Sequence, residues 1–170
     1  MQYNKLIIIS GTPGSGKSTL TKLLVKKLGL IHIDIHDLIK EHKTIVSSYN
    51  RSKQSYDIII PKLAKLIKSL IKKVKGETEK TYVFDSHISH LLPKEIVDLT
   101  IIMRCSNLKK LKKRLINRKY SKKKVEENVE CEIFDVCYDE AKDLGHKIIT
   151  FDTSKKESQK PIILKVQKNI

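Results

Sequence analysis

Leu6-Ile7-Ile8-Ile9-Ser10 runs without a break into Gly11-Thr12-Pro13-Gly14-Ser15-Gly16-Lys17-Ser18-Thr19. An apolar strand feeding G-x-x-x-x-G-K-S, followed by a helical pattern, is the arrangement of a P-loop, or Walker A motif. Glycines let the backbone wrap closely around phosphates, with its N–H groups pointing inward at them. Lys17 is the residue that reaches the β/γ-phosphates, and the Ser18 hydroxyl binds Mg²⁺. The helix that starts here adds the positive end of its dipole. Leu20, Leu23, Leu24 and Leu28 share one face of it. Every fixed position and both flanks agree, which sets aside a chance Gly-rich turn. The candidate triphosphate-binding set is therefore Gly11, Gly14, Ser15, Gly16, Lys17, Ser18 and Thr19.

The rest of the chain repeats the strand-then-helix rhythm. Leu6–Ser10 is the first strand and Lys17–Leu28 the first helix, with Gly29 suited to its C-cap. Ile31–Ile35 alternates and reads as a short strand, and Asp37–His42 as a helical turn. Thr44–Ser55 is polar without a clear period and reads as a mobile loop or short helical insert. Ile58–Val74 has a strong helical period, with Pro61 in its first turn, and Gly76–Lys80 is a turn. Thr81–Phe84 is a strand ending at Asp85, and Leu99–Met103 is apolar throughout, as a buried parallel strand is. Helices follow at Leu108–Arg118 and at Lys122–Leu144, the second capped by Ser121 and closed by Gly145. Ile148–Phe151 is the last strand and Ile162–Ile170 the last helix. This alternation predicts one α/β domain over residues 1–170, a parallel sheet with helices on both faces.

Tyr82-Val83-Phe84-Asp85 is a strand ending in an acid, the Walker B arrangement. There Asp85 either holds Mg²⁺ beside the P-loop, with Ser18, or caps a helix. His87 follows two residues later and His90 three after that. A histidine at a phosphate site orients water or acts as general base, and a histidine near a strand end also serves as a structural hydrogen-bonder. Arg104, Arg114 and Arg118 follow the Leu99–Met103 strand, and phosphoryl transfer gains from cations that clamp the moving group. Arg114 and Arg118 are four apart and share a helix face. Arg118 adjoins the basic run Lys119–Lys124, which is suited to closing over a nucleotide, whereas Arg114 better fits a solvated or acid-paired role.

Lysine and arginine outnumber aspartate and glutamate 35 to 19, a net charge of +16. So positive a field favours polyanions such as nucleotides, RNA or a ribosome surface. A lysine-rich, thermophilic composition accounts for it equally well. Only 5% of residues are aromatic, so no base-stacking platform is evident. No apolar run reaches membrane-span length, Leu6–Ile9 is too short for a signal sequence, and three cysteines without metal spacing read as reduced thiols. The expectation is a cytoplasmic protein without a membrane segment.

Beyond the P-loop stand Asp85-Ser86-His87, His90-Leu91-Leu92-Pro93, Arg104-Cys105, Arg118-Lys119-Tyr120 and Glu127-Asn128-Val129-Glu130-Cys131-Glu132. Together these resemble the adenylate kinase 6 family, also called CINAP, in its archaeal branch, over nearly the whole chain. The resemblance implies an adenylate-kinase-like fold with a monophosphate-binding region near residues 34–57 and a short lid near 117–127. It implies ATP and AMP as substrates, Mg²⁺, adenylate kinase and ATPase activities, and a role in small-subunit ribosome maturation. The partners implied are a small-subunit platform ribosomal protein and small-subunit rRNA. By position, Lys17, Asp85, His87 and Arg118 carry catalysis, Arg118 is the lid arginine on ATP, and Lys156 lies near the adenine. Three departures stand out. Lys119 occupies the usual glycine position between the lid arginine and tyrosine, implying a stiffer hinge. The usually acidic monophosphate region, Tyr49–Pro61, carries Arg51 and Lys53 with Asp57 its only acid, and Lys40 stands where the family has an arginine and cannot grip phosphate bidentately. Two functions remain open: a kinase that transfers phosphate from ATP to AMP, and an ATP-driven assembly factor in which Asp85 and His87 position water.

Overall fold

The computed structural model describes residues 3–51, 55–72, 78–155 and 159–170. Five parallel strands form the central sheet: β1 (Lys5–Ser10), β2 (Ile31–Ile33), β5 (Thr81–Asp85), β6 (Leu99–Arg104) and β7 (Ile148–Asp152). Their order across the sheet is β2-β5-β1-β6-β7, so the strand that carries the P-loop is the middle one. β3 (Val46–Asn50) and β4 (Ser55–Ile58) form a separate antiparallel pair. The helices are α1 (Lys17–Leu28), α2 (Ile35–Glu41), α3 (Ile60–Leu70), α4 (Leu108–Asn117), α5 (Lys122–Ile133), α6 (Val136–Asp143) and α7 (Gln159–Gln167).

Period-two alternation in β1 sends its side chains to two cores. Ile7 and Ile9 join Val83, Ile101, Ile149 and Phe151 against Leu20 and Leu24 of α1 and Val166 of α7. Leu6 and Ile8 join Phe84 against Leu38 of α2 and Leu63 and Ile67 of α3. A parallel strand covered on both faces must be apolar at every position, and Leu6 to Ile9 are all fully buried. The expected doubly covered sheet is therefore present. A smaller core of Cys105, Leu111, Leu115 and Val125 seats α4 and α5 beside it. Among the described residues no helix is long and apolar enough to cross a membrane.

Several boundaries differ from the sequence expectation. The stretch expected as a loop or helical insert at Thr44–Ser55 is mostly the β3–β4 pair, preceded by a single 3₁₀ turn at Lys43–Ile45. Cross-strand contacts hold it, Tyr49 facing Tyr56 and Asn50 facing Ser55. The short second strand stops at Ile33, because the Asp34 carboxylate accepts the His36 N–H at 2.7 Å and starts α2 early. The helix expected over Ile58–Val74 spans Ile60–Leu70, its Pro61 in the first turn as expected; Val74 and Gly76 lie outside the described residues. The final helix begins earlier, at Gln159, and ends at Gln167. The long helix expected over Lys122–Leu144 is two helices, broken where Asp135 turns left-handed with φ 51°. The Arg104 guanidinium donates to the Asp135 carboxylate and so offsets that strain.

Candidate nucleotide site

The loop between β1 and α1 lies at the carboxyl edge of the sheet, where the neighbouring strands β5 and β6 also end. Gly11 and Gly16 both have positive φ, at 133° and 103°. A side chain at Gly11 would set its Cβ 2.2 Å from the Met103 carbonyl oxygen, and one at Gly16 would come 2.8 Å from Thr153 Cγ2. Only glycine fits where strand ends crowd the loop this closely. Arg114 fastens the loop from beneath, donating to the Gly14 carbonyl at 2.9 Å and to Thr153 Oγ1 at 3.0 Å. The solvated or acid-paired role expected for Arg114 gives way to bracing of the P-loop, because its guanidinium lies within reach of the Gly14 carbonyl.

Lys17 is half-buried and folded back on its own loop, donating to the Gly11 carbonyl at 2.6 Å and the Thr12 carbonyl at 3.1 Å. Burial, with Arg118 nearby, pushes its pKa down to about 8, against the partial pull of Cys137, Asp85 and Glu132. The Ser18 hydroxyl donates to Asp85 Oδ2 at 3.0 Å. The two candidate metal ligands, from α1 and β5, thus meet in space, and among the described residues Asp85 caps no helix. Its other oxygen, Oδ1, lies 2.6 Å from His32 Nε2. His32 was not among the candidates read from the sequence. Its only signal there was membership of a short strand, and its placement depends on β2 pairing with β5.

His87 lines the same cleft and is exposed to it. Desolvation by the surrounding protein, with the positive charge of Lys17, pushes its pKa down to about 4, so the imidazole is neutral at physiological pH. His90 is different. It is buried, with Nδ1 2.6 Å from Ser10 Oγ and Nε2 2.7 Å from Glu140 Oε2. Burial lowers its pKa despite Glu140. That is a structural tie between β1 and α6, not a group aimed at substrate.

A second unanticipated residue is Glu132, buried on α5. Its carboxylate accepts the Thr12 hydroxyl and, at 2.5 Å, the Cys105 N–H. It ties α5 to both the P-loop and the end of β6. The sequence held it within a quoted motif but gave it no role. At the other side of the loop, Asp152 accepts the Ser106 N–H at 3.1 Å and the Ser154 N–H at 2.9 Å. Partial burial opposes its ionisation, yet the Ser106 and Ser154 hydroxyls, aided by these N–H groups, hold the carboxyl well below the usual range. Lys156, expected near the adenine, lies outside the described residues.

These elements enclose a cleft of about 1010 Å³. Lys17, Ser18, Asp85 and His87 line its floor, Tyr49 and Tyr56 of the hairpin one wall, and Arg118, Tyr120 and Lys124 another. Residues of the 34–57 and 117–127 segments therefore line the same cleft as the P-loop. The hairpin carries a tilted aromatic pair, with ring centroids 5.1 Å apart. Lys40 is not among the lining residues and donates to Asp37 at 3.2 Å. Lys119 has φ 59°, the left-handed conformation for which glycine is the favoured residue.

A family profile described as "AAA domain" matches residues 7–135. A "Putative adenylate kinase" of Methanocaldococcus jannaschii is 39% identical over 151 residues, 89% of this chain and 78% of that protein. An "Adenylate kinase isoenzyme 6 homolog" of Caenorhabditis elegans is 31% identical over 156 residues, 89% of this chain and 82% of its own length. A crystal structure described as a "putative kinase" from Chloroflexus aurantiacus superposes with a TM-score of 0.58 over 99% of this chain and 100% of that one, at 18% identity. That likeness shows the fold alone, a parallel sheet flanked by helices.

Proposed function

The chain belongs to the adenylate kinase 6 family, and from that premise we propose that it transfers the γ-phosphate of ATP to AMP in the presence of Mg²⁺. We extend the proposal to ATP hydrolysis when no acceptor is bound, and to a role in small ribosomal subunit maturation. The observation that carries the reading is the single cleft joining P-loop, hairpin and lid corner. Its volume suits two nucleotides whose phosphates meet above Lys17.

Phosphoryl transfer asks a protein for position and positive charge rather than covalent chemistry. Lys17 is to leave the Gly11 and Thr12 carbonyls for the phosphates, a move that restores a full charge to an ammonium held near pKa 8. The loop N–H groups and the start of α1 receive the same anion. Arg118 is to close from the lid corner onto the transferring group. Ser18 and Asp85 are the ion ligands, and their 3.0 Å contact fits a shared ion. Bound there, Mg²⁺ supplies charge neutralisation at the β/γ-phosphate oxygens.

The ATPase reading rests on His87, a neutral imidazole in the cleft suited to orienting water. The net charge of +16 suits the accompanying partners, a platform ribosomal protein or rRNA. One assay separates the activities. Purified protein receives ATP with and without AMP, and ADP and phosphate are followed separately. AMP-dependent ADP without phosphate release discards the ATPase reading. Phosphate release indifferent to AMP discards the kinase.

A further inference from the structure

We infer that His32 is a positioning residue for Asp85: its ring N–H holds one carboxylate oxygen, so that the other stays turned toward Ser18; this rests on the reading above that Ser18 and Asp85 hold Mg²⁺. Strand alternation brings the three groups together. His32 pairs with Val83 of β5, and Ile33 with Phe84. Ile33 and Phe84 belong to the core beneath α2 and α3, and Val83 to the core beneath α1. Residues at i and i+2 share a face of a strand. Val83 and Asp85 therefore look toward α1, and so does His32 beside them. Ser18 stands in the first turn of α1.

His32 Nε2 lies 2.6 Å from Asp85 Oδ1, and Asp85 Oδ2 accepts the Ser18 hydroxyl at 3.0 Å. A carboxylate offers acceptors only, so the proton of the His32 contact sits on Nε2. The torsion that turns an aspartate carboxyl is broad and roughly two-fold, and the backbone alone does not fix it. With Oδ1 held from β2, rotation breaks a short hydrogen bond. The two bonds differ in what ion binding asks of them. Ser18 Oγ and Asp85 Oδ2 are the oxygens that face the ion, so their mutual bond is given up when one is bound. The His32 bond uses the other oxygen and is kept. A neighbour that fixes a ligating carboxylate in this way is worth about 10–100-fold in metal affinity or activity. The role leaves the choice of ion alone: both ligands are oxygens, the donor type Mg²⁺ takes, and the imidazole stays outside them. The Asp85 side chain is only 10% exposed, so water competes little for Oδ1. His36 and His87 also line the cleft, but among the described residues the histidine bonded to Asp85 is His32.

The test measures affinity for a fluorescent, non-hydrolysable ATP analogue, once with saturating Mg²⁺ and once with the ion chelated. Wild-type protein is expected to bind the analogue more tightly with Mg²⁺. His32→Ala is expected to weaken binding about tenfold with Mg²⁺ and less than about twofold without it. His32→Gln keeps a side-chain N–H and is expected to bind within about threefold of wild type in both media. In an Asp85→Ala background, His32→Ala should cost nothing more, because it acts through the carboxylate. An equal loss in both media reduces His32 to a tie between strands and overturns the inference, as does a full His32→Ala effect in the absence of the Asp85 carboxylate. The wild-type protein labelled with ¹⁵N-histidine decides the matter even if the variants do not fold. In its magnesium–analogue complex the His32 ring is expected to carry a hydrogen-bonded proton on Nε2, and a bare Nε2 overturns the inference. Wild-type binding indifferent to Mg²⁺ overturns the ion reading above, and no binding in either medium overturns the nucleotide reading; the inference falls with either.

Discussion

Lys17 is the clearest residue at which function works against stability. Its pKa of about 8, below the ordinary 10.5, means that the unfolded chain holds more protons between those values. Stability from this group therefore rises with pH from about 8 to 10.5, and below 8 its burial is a full penalty. Lys17→Met is expected to lower turnover by at least about 10³-fold. In the same variant the nucleotide-free protein melts higher at pH 7, by roughly 2–4 °C per kcal/mol recovered. The gain shrinks as pH is raised past 8; calorimetry at pH 7 and 10 checks this, and an equal shift at both values contradicts it. His87 gives a second test. With its pKa near 4, it stays neutral from pH 5 to 8. The acid limb of kcat/KM assigned to it should fall near 4 rather than 6.5, and His87→Asn should remove that limb while leaving the profile above pH 5 unchanged in shape.

At the scale of elements, Glu132 makes α5 part of the P-loop's support. Glu132→Ala strands the Thr12 hydroxyl and the Cys105 N–H in a buried place, with an expected loss of about 1–3 kcal/mol for each unpaired group. Denaturant unfolding of Glu132→Ala, Thr12→Ala and the double variant should give a double loss smaller than the sum, since both single changes break one contact. The elements also mark where the sequence was legible. Leu6–Thr19 declares itself because strand, glycines and lysine are all local signals, and Asp85 follows from the apolar run before it. The β3–β4 pair was hidden because Val46–Ile58 lacks alternation. Its polar residues face outward and are held by cross-strand contacts such as Tyr49 with Tyr56. The break at Asp135 was hidden because no Gly or Pro announces it; a distant Arg104 makes that conformation tenable. His32 and Glu132 act through partners 53 and 120 residues away, and no reading of spacing along the chain finds such pairs.

For the molecule as a whole, the charge of +16 sets a field that every nucleotide meets on approach. Raising salt from about 0.05 to 0.5 M shortens the screening length from roughly 14 to 4 Å. The expected result is a several-fold fall in kcat/KM for both nucleotides, carried mainly by the association rate in stopped-flow binding. A salt-independent rate would show that the positive surface does not steer substrate. The sheet order has a different consequence, in biosynthesis. β1 is made before its sheet neighbours, yet it lies between β5 and β6, the latter ending at Arg104. At about 5–20 residues per second, Leu6 to Ile9 wait roughly 5–20 s for their second neighbour. Four fully apolar residues are thus left without their strand partners on a nascent chain until β5 and β6 have been made. The apolar strand that leads into the P-loop is thus a segment that a growing polypeptide must shelter until its neighbours arrive.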